Sequence, residues 1–478
     1  MCSRTVESSL EEGKTSENTT DQGRQLPYFH FSPPINHRST ISGKDWCSLA
    51  SSSSTSSSVS SNTEVIEDPS DFPDGGHRAW TQVLVAVLVH MLAWGYPATF
   101  GVYQLYYVDT LRLPSFQVSL IGSTQTFLAL ATCMFSGRLA DAGYVRLAMF
   151  FGFVMVVLGT FITSLSVGDG HSNNDKYWLI FSAQGILTGF GLGMCFMPPL
   201  SVVNSYFSKK KRSFALGLSA TGTGVGSIVF PAIIQQLIPE IGFAWAVRCQ
   251  AFVALAISVV ALALVRPRLE PRRGGPFVDW KAFKERPYAL FVGGAALFFY
   301  AIFFGFFYIN AYARNIVHFE TTSSVHLLII ANGMSVLARP LVGCIADRYL
   351  GPINTFCIGT CVLSGMFFSW MGVHSRAAMY VFSAFLGLSA GAAQGIYNGA
   401  MSSLIKDPRR FGTRCGMVNT VVAFTAFGGP PTAGAIIDHD SGKYKWAQVW
   451  AGSVMLGACV MFMAVRISIS GWKLKAKV

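Results

Sequence analysis

The sequence predicts an all-α integral membrane protein with twelve transmembrane helices in two six-helix pseudo-repeats. Three observations carry that expectation. Only 13% of its 478 residues are charged, against roughly 25% in an ordinary soluble domain. The deficit is uneven: about the first seventy residues are polar, and after Thr81 apolar runs of twenty or more follow one another. A helix of that length spans a hydrocarbon core of roughly 30 Å. Finally, a short glycine-to-aspartate motif recurs at matching places in the two halves of the chain.

Residues 1–72 read as a disordered, Ser-rich cytosolic tail with a regulatory or degradation role. Ser51 to Ser61 is almost all serine, and the segment has little that could bury a core. No apolar signal core follows Met1, so the Asn18-Thr19-Thr20 glycosylation sequon would stay on the cytosolic side and unused. Residues 73–265 read as the first bundle, with helices expected at 82–105, 117–136, 146–166, 177–203, 214–237 and 243–265. Residues 266–287 follow as a basic cytosolic linker carrying Arg266, Arg268, Arg272, Arg273, Lys281, Lys284 and Arg286, expected to be a solvated, lipid-facing belt. Residues 288–467 read as the second bundle, with helices at 288–312, 322–343, 353–373, 377–404, 413–437 and 446–467, before a short basic tail, 468–478.

The loops orient these spans. One alternate set holds Arg138, Arg146, Lys209, Lys210, Lys211 and Arg212, the linker, Arg348, Lys406, Arg409, Arg410 and Arg414, and the tail lysines Lys473, Lys475 and Lys477. The other holds Arg112, Lys176, Arg314, Arg376, Lys443 and Lys445. Positive charge marks the cytosolic side, so both termini are expected inside, with the plasma membrane the expected location. The net charge of +12 then serves topology and anionic headgroups, not nucleic acid. Eight of the ten cysteines lie in or beside apolar segments, where cysteine behaves as a small hydrophobe. Cys357 and Cys361 share a helix face without a histidine or second pair, so no metal site and no cofactor are expected.

After the second helix comes Gly137-Arg138-Leu139-Ala140-Asp141, followed by Arg146; after the eighth comes Gly343-Cys344-Ile345-Ala346-Asp347-Arg348. Glycine lets two helices approach closely, and an aspartate at a helix end can pair with an arginine or with a helix N-terminus. Such a pair is a conformational latch, held in one state and broken in another. Over residues 75–467 the chain resembles the major facilitator superfamily, whose loop signature these motifs match. More narrowly it resembles the fungal branch of the monocarboxylate transporter (monocarboxylate porter) family. Asp74-Gly75-Gly76 with Trp80 is similar to that family's signature before the first helix. Tyr206-Phe207-Ser208-Lys209-Lys210-Lys211-Arg212, running on to Gly217 and Gly222, is similar to its fifth-helix signature. Two features depart from the mammalian pattern. A lysine that helps to bind carboxylate is replaced in Pro97-Ala98, and the aspartate four residues before the family's arginine is Ser335 before Arg339.

Arg339 lies inside an apolar segment, where a charge costs about 2.5–3.5 kcal/mol on insertion scales. It reads either as a substrate or gating contact or as a structural group that snorkels or pairs near Asp347. His90, the only ionisable residue well inside the first helix, shares a face with Trp94 and Pro97; it reads as a proton or ligand group, or as a satisfied structural histidine. Gln394, Tyr397 and Asn398 read as cavity lining, Tyr300, Phe304 and Tyr308 as an aromatic stripe, and Arg248 as reaching the headgroups. No Asp or Glu falls in an expected helix interior.

The resemblance implies a secondary active transporter working by alternating access. Its expected substrate is a small organic acid or acidic secondary metabolite, with protons as a candidate coupling ion and efflux as the favoured direction. An uptake carrier for a vitamin or carboxylate is one alternative; a transporter-like nutrient sensor signalling through its tails is another. An enzyme would need converging His, Asp, Glu or Cys at one face, and an ATP-driven pump a Gly-x4-Gly-Lys-Ser/Thr cradle; the sequence offers neither.

Overall fold

The structure, a computed structural model, describes residues 72–166, 173–272, 274–472 and 477. The expected N-terminal tail (apart from Phe72), Arg273, Lys473 and Lys475 lie outside the described residues. The remainder is helical. In chain order the spans are α1 Gly76–Asp109, α2 Ser115–Asp141, α3 Val145–Leu165 and α4 Asp175–Tyr206. A single run, Arg212–Leu264, holds the next two. Then come α7 Arg286–Asn315, α8 Ser323–Leu350, α9 Pro352–Gly372, α10 Arg376–Leu404, α11 Pro408–His439 and α12 Lys445–Ser470.

The run Arg212–Leu264 has 53 residues, about 80 Å if straight, far beyond one membrane thickness. Gly242, at φ 77° and ψ 163°, breaks it. A left-handed φ is open to glycine without a Cβ clash, so the chain reverses there without a loop. The two arms are α5 (212–241) and α6 (243–264), which brings the spans among the described residues to twelve. The other helices mostly overrun their expected ends, as α1 does at 76–109 against 82–105. Backbone hydrogen bonding continues past the apolar run into polar flanks. Pro408 opens the α11 stretch, so Arg409, Arg410 and Arg414 sit in its first turns, not in a preceding loop.

Outward faces are apolar: Phe150, Phe151, Leu158, Val259, Leu337 and Phe385 are each about half exposed. Such a girdle suits lipid and would be unstable in water. Inside, the second helix of each half lies on the fifth helix of the other, α2 on α11 and α8 on α5. Glycine sets these approaches. A Cβ on Gly137 would strike the carbonyl of Gly412, and one on Gly343 would lie 2.6 Å from the carbonyl oxygen of Ser213.

Most described residues of the linker are exposed, but part of it packs on the bundle. Asp279 and Ala282 are buried. The Arg272 amide donates to the Asp141 carbonyl at 2.8 Å. Arg414 pairs with Glu285 at 2.6 Å and with Asp279 at 3.2 Å. These acids lie among the linker's arginines and lysines, and both neutralise Arg414 of α11, Asp279 from a buried position and Glu285 from an exposed one. Arg248 is half-buried, donates to Ser164 at 3.3 Å and stacks on Trp245.

Candidate functional site

Arg339 sits where α8 meets α5 and α10. Its backbone fits between two glycines: a Cβ on Gly217 would lie 2.7 Å from the Arg339 carbonyl, and one on Gly395 2.8 Å from its Cα. The side chain is 2% exposed, so it does not snorkel. Nη1 donates to the Ala220 carbonyl at 3.0 Å, crossing from the second half to the first. Nη2 donates to Gln394 Oε1 at 2.8 Å. Nε is buried without a partner, as is the Ser335 hydroxyl one turn earlier. Among the described residues no carboxylate pairs with Arg339; Asp347 is engaged elsewhere. A buried guanidinium held only by neutral acceptors is an uncompensated charge, and an anion is what it lacks.

His90 faces the same helix from the other side. Nδ1 lies 2.7 Å from the Ala86 carbonyl; a carbonyl only accepts, so Nδ1 carries the proton and Nε2 is left buried and unpartnered. Gly222 and Gly224 on α5 separate the two groups. A Cβ on Gly222 would touch the His90 Cβ at 3.0 Å, and one on Gly224 would touch Arg339 Nη1 at 3.2 Å. The imidazole packs edge-on against Phe196. Trp94, one turn along, meets Phe196 and, across the two halves, Phe303 of α7. A cavity of about 10 Å³, room for roughly one water, lies against Trp94 and Pro97.

The other expected lining residues separate. Gln394 joins Arg339, but Tyr397 packs among Phe291, Phe299 and Phe356 and donates to Asn419 at 3.3 Å. Asn398 faces Cys415 of α11. Two residues of the aromatic stripe tie α7 to α11, Tyr300 bonding Thr432 at 2.8 Å and Tyr308 donating to the Pro430 carbonyl at 2.9 Å, while Phe304 packs on Phe367 and Trp370 of α9. Among the buried polar residues not picked out from the sequence, two amides stand on facing elements. Gln125 on α2 is fully buried with both amide atoms unpartnered, and Asn419 on α11 reaches Met197 of α4 at 3.7 Å. Each is an amide inside an apolar run, which is the signal that could have found it.

The two motif aspartates both cap helices of the opposite half, at the basic end of the bundle. Asp141 accepts from the Gly412 and Thr413 amides at 2.9 and 2.7 Å and from the Thr413 hydroxyl at 2.6 Å. Asp347 accepts from the Ser213 and Phe214 amides at 3.2 and 2.7 Å, and Lys477 donates to its carbonyl. Both are carboxylates on the positive end of a helix. The arginines do not join them. Arg138 donates to the linker carbonyls of Arg272 and Gly275. Arg146 holds the Val265 carbonyl at 3.1 Å, within its own half, and Arg348 is exposed over Tyr349. Close by, Arg212 donates to Ser402 at 3.2 Å and Ser402 donates to Asn204 at 2.5 Å, a further bridge between halves.

The two sequence signatures meet each other. Asp74 accepts from the Ser208 amide and hydroxyl, both at 2.5 Å, and Lys211 donates to the Asp74 carbonyl at 2.9 Å. Gly75 and Gly76, both at positive φ, turn the chain into α1, and Trp80 then packs on Phe207 and Phe214. The Tyr206 hydroxyl donates to the Arg266 carbonyl, and the Lys210 amide to the Ser208 hydroxyl. The start of α1 is thereby fixed to the turn that launches α5.

Residues 83–430 match the family model described as Major Facilitator Superfamily. An MFS-type transporter of Gibberella zeae is 35% identical over 415 residues, covering 86% of this chain and 92% of that protein. The aspyridones efflux protein apdF of Emericella nidulans is 33% identical over 406 residues, covering 84% and 80%. Among solved structures, the transporter FucP in its outward conformation superposes with a TM-score of 0.63 at 15% identity, covering 80% of this chain and 98% of that one. A bacterial homologue of the iron transporter ferroportin in its outward-facing state also scores 0.63, at 14% identity, covering 82% and 100%.

Proposed function

The chain belongs to the major facilitator superfamily, a family of multi-pass membrane transporters for small molecules, and on that premise we propose that it exports an acidic secondary metabolite by alternating access. One observation carries the substrate class: Arg339, buried where the halves meet, has no anionic partner among the described residues and leaves Nε unused. A carboxylate or enolate would supply the missing charge and accept that hydrogen bond. The relative described as an aspyridones efflux protein supports the direction. The narrower kinship with fungal monocarboxylate porters rests on the Asp74 and Tyr206–Arg212 signatures. Ala98 leaves no first-helix lysine, so a metabolite larger than a short monocarboxylate is the better fit.

Both latches are made at the basic end, which we take as the cytosolic one. The state described is then closed to the cytosol, and export requires both aspartates to release their helix ends. His90 is the candidate proton carrier, since its Nε2 is free and it lies within electrostatic reach of Arg339; protonation of His90 and occupation by an anion would favour each other. The plasma membrane is the proposed location. Purified protein in proteoliposomes tests the reading: wild type should move at least one member of a panel of carboxylic and enolic secondary metabolites, and Arg339→Gln should lose that flux at normal expression. Equal flux through Arg339→Gln would remove Arg339 from the pathway and the anionic substrate with it.

A further inference from the structure

A second cavity lies away from the central one, at the basic end, with a volume of about 560 Å³. That is within the size range of small-ligand sites. Its walls are the linker and the start of α11, among them Arg272, Gly275, Asp279, Trp280, Lys281 and Arg410. Among the described lining residues three cations, Arg272, Lys281 and Arg410, face one carboxylate; Asp279 is engaged by Arg414 at 3.2 Å and by Arg410 at 3.7 Å, and Arg410 also pairs with Asp407 at 3.4 Å, which leaves Arg272 and Lys281. Arg272 Nη1 is buried with no partner. Lys281 is exposed at the rim and makes no ion pair among the described residues. Trp280, 71% exposed beside the mouth, is the residue type that settles at headgroup depth.

We propose that this cavity binds a phosphate ester, held by Arg272 and Lys281, and that the bound ester stabilises the latched state. The guanidinium fork and the ammonium are the two side-chain cations suited to a phosphate's oxygens. The coupling follows from how the walls are held. The Arg272 amide is bonded to the carbonyl of the latch aspartate Asp141, and Arg138 grips the Arg272 and Gly275 carbonyls from α2. The opposite wall, Arg410, opens the very helix that Asp141 caps. Separating α2 from α11 therefore dismantles the cavity, and a ligand in it opposes that separation. Phosphate esters reach this face either as inner-leaflet lipid headgroups or as soluble metabolites.

Full-length protein is tested in two arms that do not depend on the transported substrate. In one, nanodiscs of phosphatidylcholine are compared with nanodiscs containing phosphatidylinositol 4-phosphate, reading the melting temperature. In the other, soluble inositol 1,4,5-trisphosphate is titrated by calorimetry. Stabilisation in the lipid arm alone assigns a headgroup; binding in the soluble arm assigns a free ester. In whichever arm responds, Arg272→Gln and the surface variant Lys281→Gln should each weaken binding about fivefold. No response in either arm overturns the proposal, as does Lys281→Gln behaving like wild type.

Discussion

Charged and polar letters inside apolar runs announce themselves, which is why Arg339, His90 and Gln394 could be picked from the sequence. Their partners could not. Arg339 is held by the carbonyl of Ala220 and His90 by that of Ala86, and a backbone acceptor leaves no trace in residue identity. The same gap hid the divergence of Tyr397 and Asn398 from Gln394: three polar residues on one helix looked like one lining, but the neighbours differ. Removing the Arg339 charge leaves Gln394 and the Ala220 carbonyl with weaker donors, so Arg339→Gln should reduce transport at least tenfold while Arg339→Lys recovers little, since an ammonium does not reproduce the planar fork; initial-rate flux in vesicles of matched protein content checks this. His90→Ala should flatten the dependence of flux on pH, since His90 is an ionisable side chain facing Arg339 across α5. A profile parallel to wild type would make His90 a packing residue.

At the scale of helices, spans were legible because hydrophobic length is a property of composition, whereas their ends and contacts depend on glycine geometry and capping. The α5–α6 reversal illustrates the difference: two apolar runs were evident, but nothing in the letters said that Gly242 alone, rather than a loop, would turn the chain. The Gly137 and Gly343 motifs could be recognised, and their need for close approach foreseen; the identity of the facing surfaces, Gly412 and Ser213, needed the fold. Gly137→Val should wedge α2 from α11 and Gly343→Val should wedge α8 from α5, each lowering flux more than a valine at the open position Gly365, near which a Cβ meets nothing. Flux normalised to expression, with size-exclusion profiles as the folding control, measures it.

For the molecule as a whole, the two aspartate caps act in parallel on one equilibrium. Each carboxylate makes charge-assisted bonds, and replacing it with asparagine should weaken the closed state by about 2 kcal/mol, roughly thirtyfold. Inverting a population from 99:1 to 1:99 takes about 5.5 kcal/mol. From a 99:1 start, Asp141→Asn or Asp347→Asn alone should therefore leave about three closed molecules to one open, and the double variant about one to nine; spin-label distances between the basic ends of α2 and α11 and of α5 and α8 would report it. A double variant still fully closed would assign the closure to the Arg212–Ser402–Asn204 bridge instead. On the receiving side of each cap the donors are mostly peptide N–H groups, common to every residue type but one. The cap bonds at positions 213 and 214 thus come from the backbone, while the side chains there answer to packing, Ser213 against Gly399 and Phe214 against Trp80, and a Cβ at 412 would meet Gly137, Asp141 and Ser201. Proline is the exception that would silently unfasten one side of the transporter.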